Sequence, residues 1–230
     1  MMRVMLNTMA NESLFIIQSL ILAFSSLIAL RLGSAALVAL VCVQCILANL
    51  FVLKQISLCG LNATGADAFT IGATLCLNLL QEYYGKAIAR KTIFINFSLL
   101  VFYAVVSQLH LWYTPSMFDT MQPHFQPLLM VMPRIVIASF SVFLISQWID
   151  YALYGWLRER WKSRWLVVRN YSSLLISQGI DTALFSFFGL YGLVENLGQI
   201  IVVSYTIKVF AICIAVPFIG FAKWCYSPEQ

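Results

Sequence analysis

The fold of this chain is indicated near its start by two apolar stretches. They are LFIIQSLILAFSSLIAL at Leu14–Leu30 and, after one arginine, LGSAALVALVCVQCILANLFVL at Leu32–Leu53. Each approaches or exceeds the ~20 predominantly apolar residues that a helix needs to cross a bilayer. Similar runs follow at Thr92–Trp112, Arg134–Leu157, Tyr171–Gly192 and Leu197–Trp224. We therefore predict an all-α fold, a polytopic membrane helix bundle in which residues 1–230 form one domain.

The composition excludes a soluble globular protein. Hydrophobic residues make up 61% of the chain and charged residues only 10%, whereas a soluble domain carries about 25% charged residues. The six cysteines fall mostly inside apolar runs, where thiols pack as small hydrophobic groups. We expect neither a cofactor nor a metal site. The first apolar run has Glu12 close before it and a second run directly after it, so we expect a retained helix rather than a cleaved signal peptide.

A seventh, weaker segment at Ala66–Tyr84 leaves the number of spans open. It is interrupted by Thr70, Gly72, Thr74, Asn78, Gln81 and Glu82. A segment this polar lies beside protein or water rather than in lipid, and it either crosses along a cavity or enters the membrane and returns. The bundle therefore has seven spans, with the N-terminus outside, or six, with both termini inside.

Orientation follows from lysine and arginine in the short loops, which favour the cytoplasmic side. Two loops are basic, and they contain Lys86, Arg90, Lys91, Arg158, Arg160, Lys162, Arg164 and Arg169. The segments Tyr113–Pro133 and Gly192–Gly198 contain no lysine or arginine. We therefore expect the basic loops to be cytoplasmic, together with the C-terminus, which carries Lys223. The four prolines of the long outer segment indicate a stiff connector or, alternatively, a lid.

Three ionisable residues stand inside the predicted spans, at Asp150, Asp181 and Lys208. Charged groups at this depth are costly and mark functional sites by default. The two aspartates lie in a repeat on consecutive helices, SQWIDYAL at residues 146–153 and SQGIDTAL at residues 177–184. Six of the eight positions are identical, the aspartate among them.

In each copy the serine, glutamine and aspartate share one helix face, since they are spaced three and four residues apart. Gln147 with Asp150 and Gln178 with Asp181 could thus line one polar cavity. With a rise of about 1.5 Å per residue, Asp181 and Lys208 both reach the middle of the membrane, where they could form an ion pair. The alternative is that these side chains only hold helices together through hydrogen bonds.

Several enzyme signatures are absent. The chain has no phosphate-binding loop, no Gly-x-Ser-x-Gly and no His-Glu-x-x-His. We therefore predict that it is not an enzyme and that it does not itself hydrolyse ATP through a P-loop. The basic residues occur in short clusters between apolar runs, which indicates membrane topology rather than nucleic-acid binding.

The segment NLLQEYYGK at Asn78–Lys86, followed by Ala89-Arg90-Lys91, resembles the Asp-x-x-x-Glu-x-Tyr-Gly…Ala-Arg-Arg signature of queuosine precursor transporters, which are related to the vitamin-uptake group. Further matching pieces occur in the same order: Arg134-Ile135 with Ala138-Ser139, Gln147…Asp150, Ser177…Asp181-Thr182, and Ser204-Tyr205…Lys208-Val209. The resemblance covers roughly residues 49–221. The sequence departs from the pattern at Asn78, where the family has an acidic residue, and at Gln178, where relatives often have asparagine.

The resemblance implies a bacterial inner-membrane importer of 7-deazaguanines, namely the nitrile precursor, the aminomethyl precursor or queuine, which feed queuosine synthesis in tRNA. The substrate-binding residues that we predict are Asp181, Gln178, Asp150, Gln147, Lys208, Glu82, Asn78 and Arg134. The expected partners are the small-molecule substrate and the lipid bilayer, and a homodimer or a separate ATPase is left open. The rivals are a substrate-binding subunit of a vitamin-type transporter that needs such an ATPase, and an intramembrane enzyme.

Overall fold

The structure, a computed structural model, describes residues 2–160 and 166–222. Within these residues the α-helices are α1 Met2–Leu32, α2 Ser34–Phe51, α3 Asp67–Leu79, α4 Lys86–Trp112, α5 Gln122–Leu129, α6 Met132–Arg160, α7 Leu166–Phe185 and α8 Leu197–Ala222. Two π-helical segments, Leu80–Tyr84 and Ser186–Leu190, extend α3 and α7. The strands β1 Gln55–Leu58 and β2 Leu61–Thr64 form an antiparallel hairpin.

The helical prediction is confirmed for most of the chain, but the all-α prediction is wrong between α2 and α3. There the β1–β2 hairpin pairs Gln55 with Thr64 and Leu58 with Leu61. The two turn residues, Cys59 and Gly60, have φ angles of 50° and 77°, and positive values at both positions are typical of the tight type I′ hairpin turn. Cysteine is an uncommon residue in such a turn, so the hairpin has no strong signal in the sequence.

One end of the bundle, which we call the hairpin end, is organised around this hairpin. Asn11 Nδ2 donates a hydrogen bond to the Ser57 carbonyl oxygen at 3.1 Å, and the Asn62 backbone N–H donates to Gln199 Oε1 at 3.1 Å. A residue in the first half of α1 and the start of α8 therefore both lie beside the hairpin. An apolar cluster closes this end, and its buried members are Val52, Ala66, Met132, Ile135, Leu190 and Ile200.

The opposite end, which we call the basic end, has a second apolar cluster. Its buried members come from α1 to α4, from the first π-helical segment and from the end of α8: Leu27, Ala29, Leu30, Leu37, Val41, Cys76, Leu79, Leu80, Ala89 and Ala222. Tyr84 Oη donates a hydrogen bond to the Leu30 carbonyl oxygen at 3.3 Å, which ties the end of the π-helical segment to α1. The cations Arg31, Lys86, Arg90 and Lys91 belong to the same end of these helices.

These contacts show how the weak segment at Ala66–Tyr84 lies in the bundle. The helix from Asp67 to Tyr84 starts beside the hairpin and finishes beside Leu30, so it runs from one end of the bundle to the other. In the described part of the chain, seven helices run between the two ends: α1, α2, α3, α4, α6, α7 and α8. The predicted connector at Tyr113–Pro133 differs from a simple loop because it contains α5.

Among the residues that the structure describes, five helical stretches are long and apolar enough to span a membrane: Asn11–Leu32, Ser34–Phe51, Lys86–Trp112, Gln122–Ser146 and Leu197–Ile214. Their large apolar side chains are widely exposed, as at Phe24 (66%) and Phe102 (65%). Exposed apolar surface of this extent is compatible with lipid and not with water. The protein is therefore a multi-pass membrane protein. The helices α3 and α7 are not among these five stretches, and they are the helices that carry Asp67 and Asp181.

Candidate substrate site

The structure brings Asp181 of α7 and Lys208 of α8 together inside the bundle. Lys208 Nζ donates a hydrogen bond to Asp181 Oδ2 at 2.6 Å, and the side chains are 18% and 22% exposed for Lys208 and Asp181, respectively. Hydrogen bonds between two ionised groups are roughly twice as strong as neutral ones. Lys208 lies about 17 Å along α8 from Leu197, between the two apolar end clusters. The pair is partly exposed rather than enclosed in the apolar core.

A second carboxylate, that of Asp67, lies close to this pair. Its Oδ2 accepts hydrogen bonds from the Thr64 backbone N–H at 3.0 Å and from Thr64 Oγ1 at 3.1 Å. The Ser204 side chain also hydrogen-bonds this carboxylate, and Lys208 is near enough to attract it electrostatically. Asp67 is only 6% exposed. Because Ser204 and Lys208 are four residues apart, they share one face of α8, and this face joins Asp67 to Asp181.

Gly179 explains a mismatch in the sequence repeat. A Cβ atom at this glycine would lie 3.3 Å from the ring of Tyr205 on α8, a tight contact. Tyr205 Oη donates a hydrogen bond to the Leu175 carbonyl oxygen at 3.3 Å, which fixes the ring against α7. The corresponding position of the first copy is Trp148, which is 71% exposed. Glycine at position 179 therefore fits the close packing of α8 against α7 at this point.

The other members of the repeat are only partly described. Gln178 is half-buried on α7, and its backbone carbonyl oxygen accepts a hydrogen bond from Thr182 Oγ1 at 2.8 Å. Ser146 on α6 is buried, and its hydroxyl has no hydrogen-bond partner among the residues that the structure describes. The side chains of Gln147 and Asp150 lie outside the described part, although both residues belong to α6.

Three predicted site residues lie away from the Asp181–Lys208 pair. Glu82 is exposed in the π-helical segment at the basic end, about 22 Å along the helix from Asp67. Asn78 is half-buried one turn before Glu82. Arg134 is exposed at the start of α6, where Nε donates to the Phe188 carbonyl oxygen at 3.0 Å and Nη2 to the Tyr191 carbonyl oxygen at 2.7 Å.

These contacts predict a structural effect for Arg134→Ala. The guanidinium caps two carbonyl oxygens at the end of the π-helical extension of α7, and its removal is expected to cost about 1–2 kcal/mol of stability because exposure weakens charged hydrogen bonds. Thermal unfolding of the purified protein measures this, with Lys54→Ala as a control at the same end. The affinity for a transported substrate should remain unchanged. A substrate KM that rises tenfold with unaltered stability would instead assign Arg134 to substrate binding.

Asp67 and Ser204 are the members of the site that the sequence did not identify as such. Asp67 is the first residue of α3 and lies near the start of the weak seventh segment, outside the long apolar runs. The available signal was its position in Thr64-Gly65-Ala66-Asp67, at the start of a helix too polar to face lipid. What connects it to Lys208 is the packing of α3 against α8, which no spacing in the sequence reveals.

The fold and this site define a class of protein. It is a multi-pass helix bundle in which charged side chains lie between an apolar cluster at each end, an arrangement typical of membrane transporters. A family model described as "Putative vitamin uptake transporter" matches residues 64–222, and the chain belongs to this family. It is also 30% identical over 180 residues to the "Probable queuosine precursor transporter" of Bacillus subtilis (strain 168), covering 76% of this chain and 78% of the relative. No solved structure matches the chain.

Proposed function

We propose that this protein imports queuosine precursors, 7-deazaguanine bases, across a bacterial inner membrane for the modification of tRNA. The observation that carries the proposal is the Asp181–Lys208 pair, partly exposed inside a bundle whose two ends are closed by apolar clusters. Support for the substrate comes from the relative named as a queuosine precursor transporter. As a member of a transporter family, the chain is expected to move its ligand without altering it.

The chemistry of the ligand fits these side chains. A 7-deazaguanine presents a ring N–H beside an exocyclic amine, and a carboxylate accepts such a donor pair with both oxygens. In the proposed complex Asp181 accepts these two hydrogen bonds, and Gln178, one turn earlier on α7, donates to the carbonyl oxygen of the base. Lys208 donates a hydrogen bond to the Asp181 carboxylate and compensates its charge before the ligand arrives. Gln147 and Asp150 of α6 are proposed to complete the polar lining.

The test is rescue of tRNA queuosine in a host that lacks its own synthesis and uptake. Such cells, expressing this protein, are supplied with the nitrile precursor, the aminomethyl precursor or queuine in turn, and queuosine in tRNA is measured. We expect rescue with at least one of them. No rescue with any compound, despite verified membrane insertion, would refute the proposed substrate.

The second candidate function is that of a substrate-binding subunit that works with a separate ATPase. The family description, a vitamin uptake transporter, favours considering this arrangement. Uptake by the purified chain alone in liposomes distinguishes the two arrangements. We expect uptake without ATP. An absolute requirement for a co-purifying ATP-hydrolysing protein would assign the chain to the multi-component type, and chemical change of the ligand would indicate an enzyme.

The orientation we propose places the basic end in the cytoplasm, because Lys and Arg of short loops are retained there. Reporters fused after Lys91 and after Arg164 should then be cytoplasmic, and one inserted near Met121 should be external. With seven crossings, the proposed orientation has the N-terminus outside and the C-terminus inside. A cytoplasmic Met121 would overturn the orientation and with it the proposed direction of import.

A further inference from the structure

The formal charges of the side chains around Lys208 do not sum to zero. The described charged groups are two carboxylates, those of Asp67 and Asp181, and one ammonium group. The hydrogen bonds that Asp67 receives from Thr64 come from neutral donors, and neutral donors do not cancel its charge. Asp67 is 6% exposed, so water screens it poorly. With both carboxylates ionised, these side chains together carry an excess of one negative charge.

No other described cation offsets this excess. Lys54 and Arg134 belong to the hairpin end, where both are exposed. The Arg134 guanidinium is engaged with carbonyl oxygens at the end of α7. Arg31, Lys86, Arg90 and Lys91 belong to the basic end, whereas Asp67 begins α3 at the hairpin end. A buried charge without a partner is costly, and a positively charged ligand removes that cost.

We propose that Asp67 makes this site selective for a planar base that carries a protonated amine, over the same base without a charge. This inference rests on the proposed function, since it takes the base to be held by Asp181. Ser204 and Lys208 are separated by about 6 Å along α8, comparable to the width of a bicyclic base. In the proposed complex, a base whose hydrogen-bonding edge lies on Asp181 extends its opposite ring, with the substituent at position 7, toward Asp67.

The experiment compares two probes that differ only at that substituent. The aminomethyl 7-deazaguanine is a cation at neutral pH, and the nitrile 7-deazaguanine is uncharged. Initial uptake of each is measured with the full-length protein in liposomes. We expect the native protein to prefer the cation by tenfold or more, because one opposite charge within about 12 Å, at an effective dielectric constant of about 20, changes affinity by roughly that factor.

The variant Asp67→Asn removes the charge and keeps the size of the side chain. We expect its preference for the cation to fall about tenfold, while Asp67→Glu retains the preference. Glu195→Gln is the matched control: it removes an exposed carboxylate at the same end and should leave the ratio of the two probes unchanged.

Equal uptake of both probes by the native protein would overturn the inference, and this result needs no variant to fold. If uptake of the two probes is equal and is lost when a protonophore is added, a proton rather than a cationic ligand neutralises the excess charge. This result also overturns the inference. If neither probe is transported and no tRNA rescue occurs, the proposed function fails, and this result is distinct from a loss of selectivity alone.

Discussion

Asp181→Asn is expected to lower the affinity for the transported base by about 10- to 150-fold. The amide is the same size as the carboxylate, but one of its two acceptor positions becomes an NH2 donor that points at a donor of the ligand. The lost charge-assisted hydrogen bond corresponds to roughly 1.5–3 kcal/mol. Binding measured by isothermal calorimetry and initial uptake in liposomes should both show the loss. Glu195→Gln, which removes an exposed carboxylate, should show none.

The ion pair gives Asp181 a second role that must be separated from the first. Lys208 Nζ lies 2.6 Å from Asp181 Oδ2, so the single variant also leaves a half-buried ammonium without its partner, and less folded protein is expected. In the double variant Asp181→Asn with Lys208→Met, the unpaired cation is gone. We expect the amount of folded protein to recover while uptake stays abolished. Recovery of uptake in this double variant would remove Asp181 from the binding site.

Gly72→Leu is expected to prevent normal packing of α3 against α1 and α2. A Cβ atom at Gly72 would clash with Gln44 Oε1 and would lie 3.0 Å from Leu22 Cβ. Gln44 is 1% exposed, so it has little room to withdraw. Overpacking of this kind costs about 1–3 kcal/mol, and the remaining carbons of a leucine side chain add to the clash of that first atom. The yield of folded protein and its thermal unfolding temperature should both fall.

Two variants show whether this effect is a local clash. A Cβ atom at Gly198 of α8 would have no atom within 4 Å, so Gly198→Leu should leave the unfolding temperature nearly unchanged. The smaller change Gly72→Ala combined with Gln44→Ala removes the side-chain amide that the new methyl group would meet, and it should be more stable than Gly72→Ala alone. If Gly72→Leu were as stable as the native protein, the close approach of α2 and α3 at this point would be wrong.

The membrane fold could be predicted because its main signal is local in sequence. Long apolar helices such as Ser34–Phe51 and Lys86–Trp112 follow from composition over about twenty residues, and cations mark the loops between them. The weak segment at Ala66–Tyr84 could not be assigned in this way. Its polar residues are tolerated because α1, α2 and α8 enclose the helix, and that enclosure is a property of the assembled bundle.

For the candidate site too, some features follow from the sequence and others only from the tertiary structure. The sequence by itself determined that Asp181 and Lys208 lie at similar depth, since helical rise and the positions of the basic loops fix depth. Only the tertiary structure decided that they touch, because contact depends on the rotation of α7 and α8 about their axes and on Gly179 admitting the Tyr205 ring. It also decided that Asp67 joins them while Glu82 does not. These two residues lie at opposite ends of one continuous helix, and which end faces Lys208 depends on how α3 packs against α8.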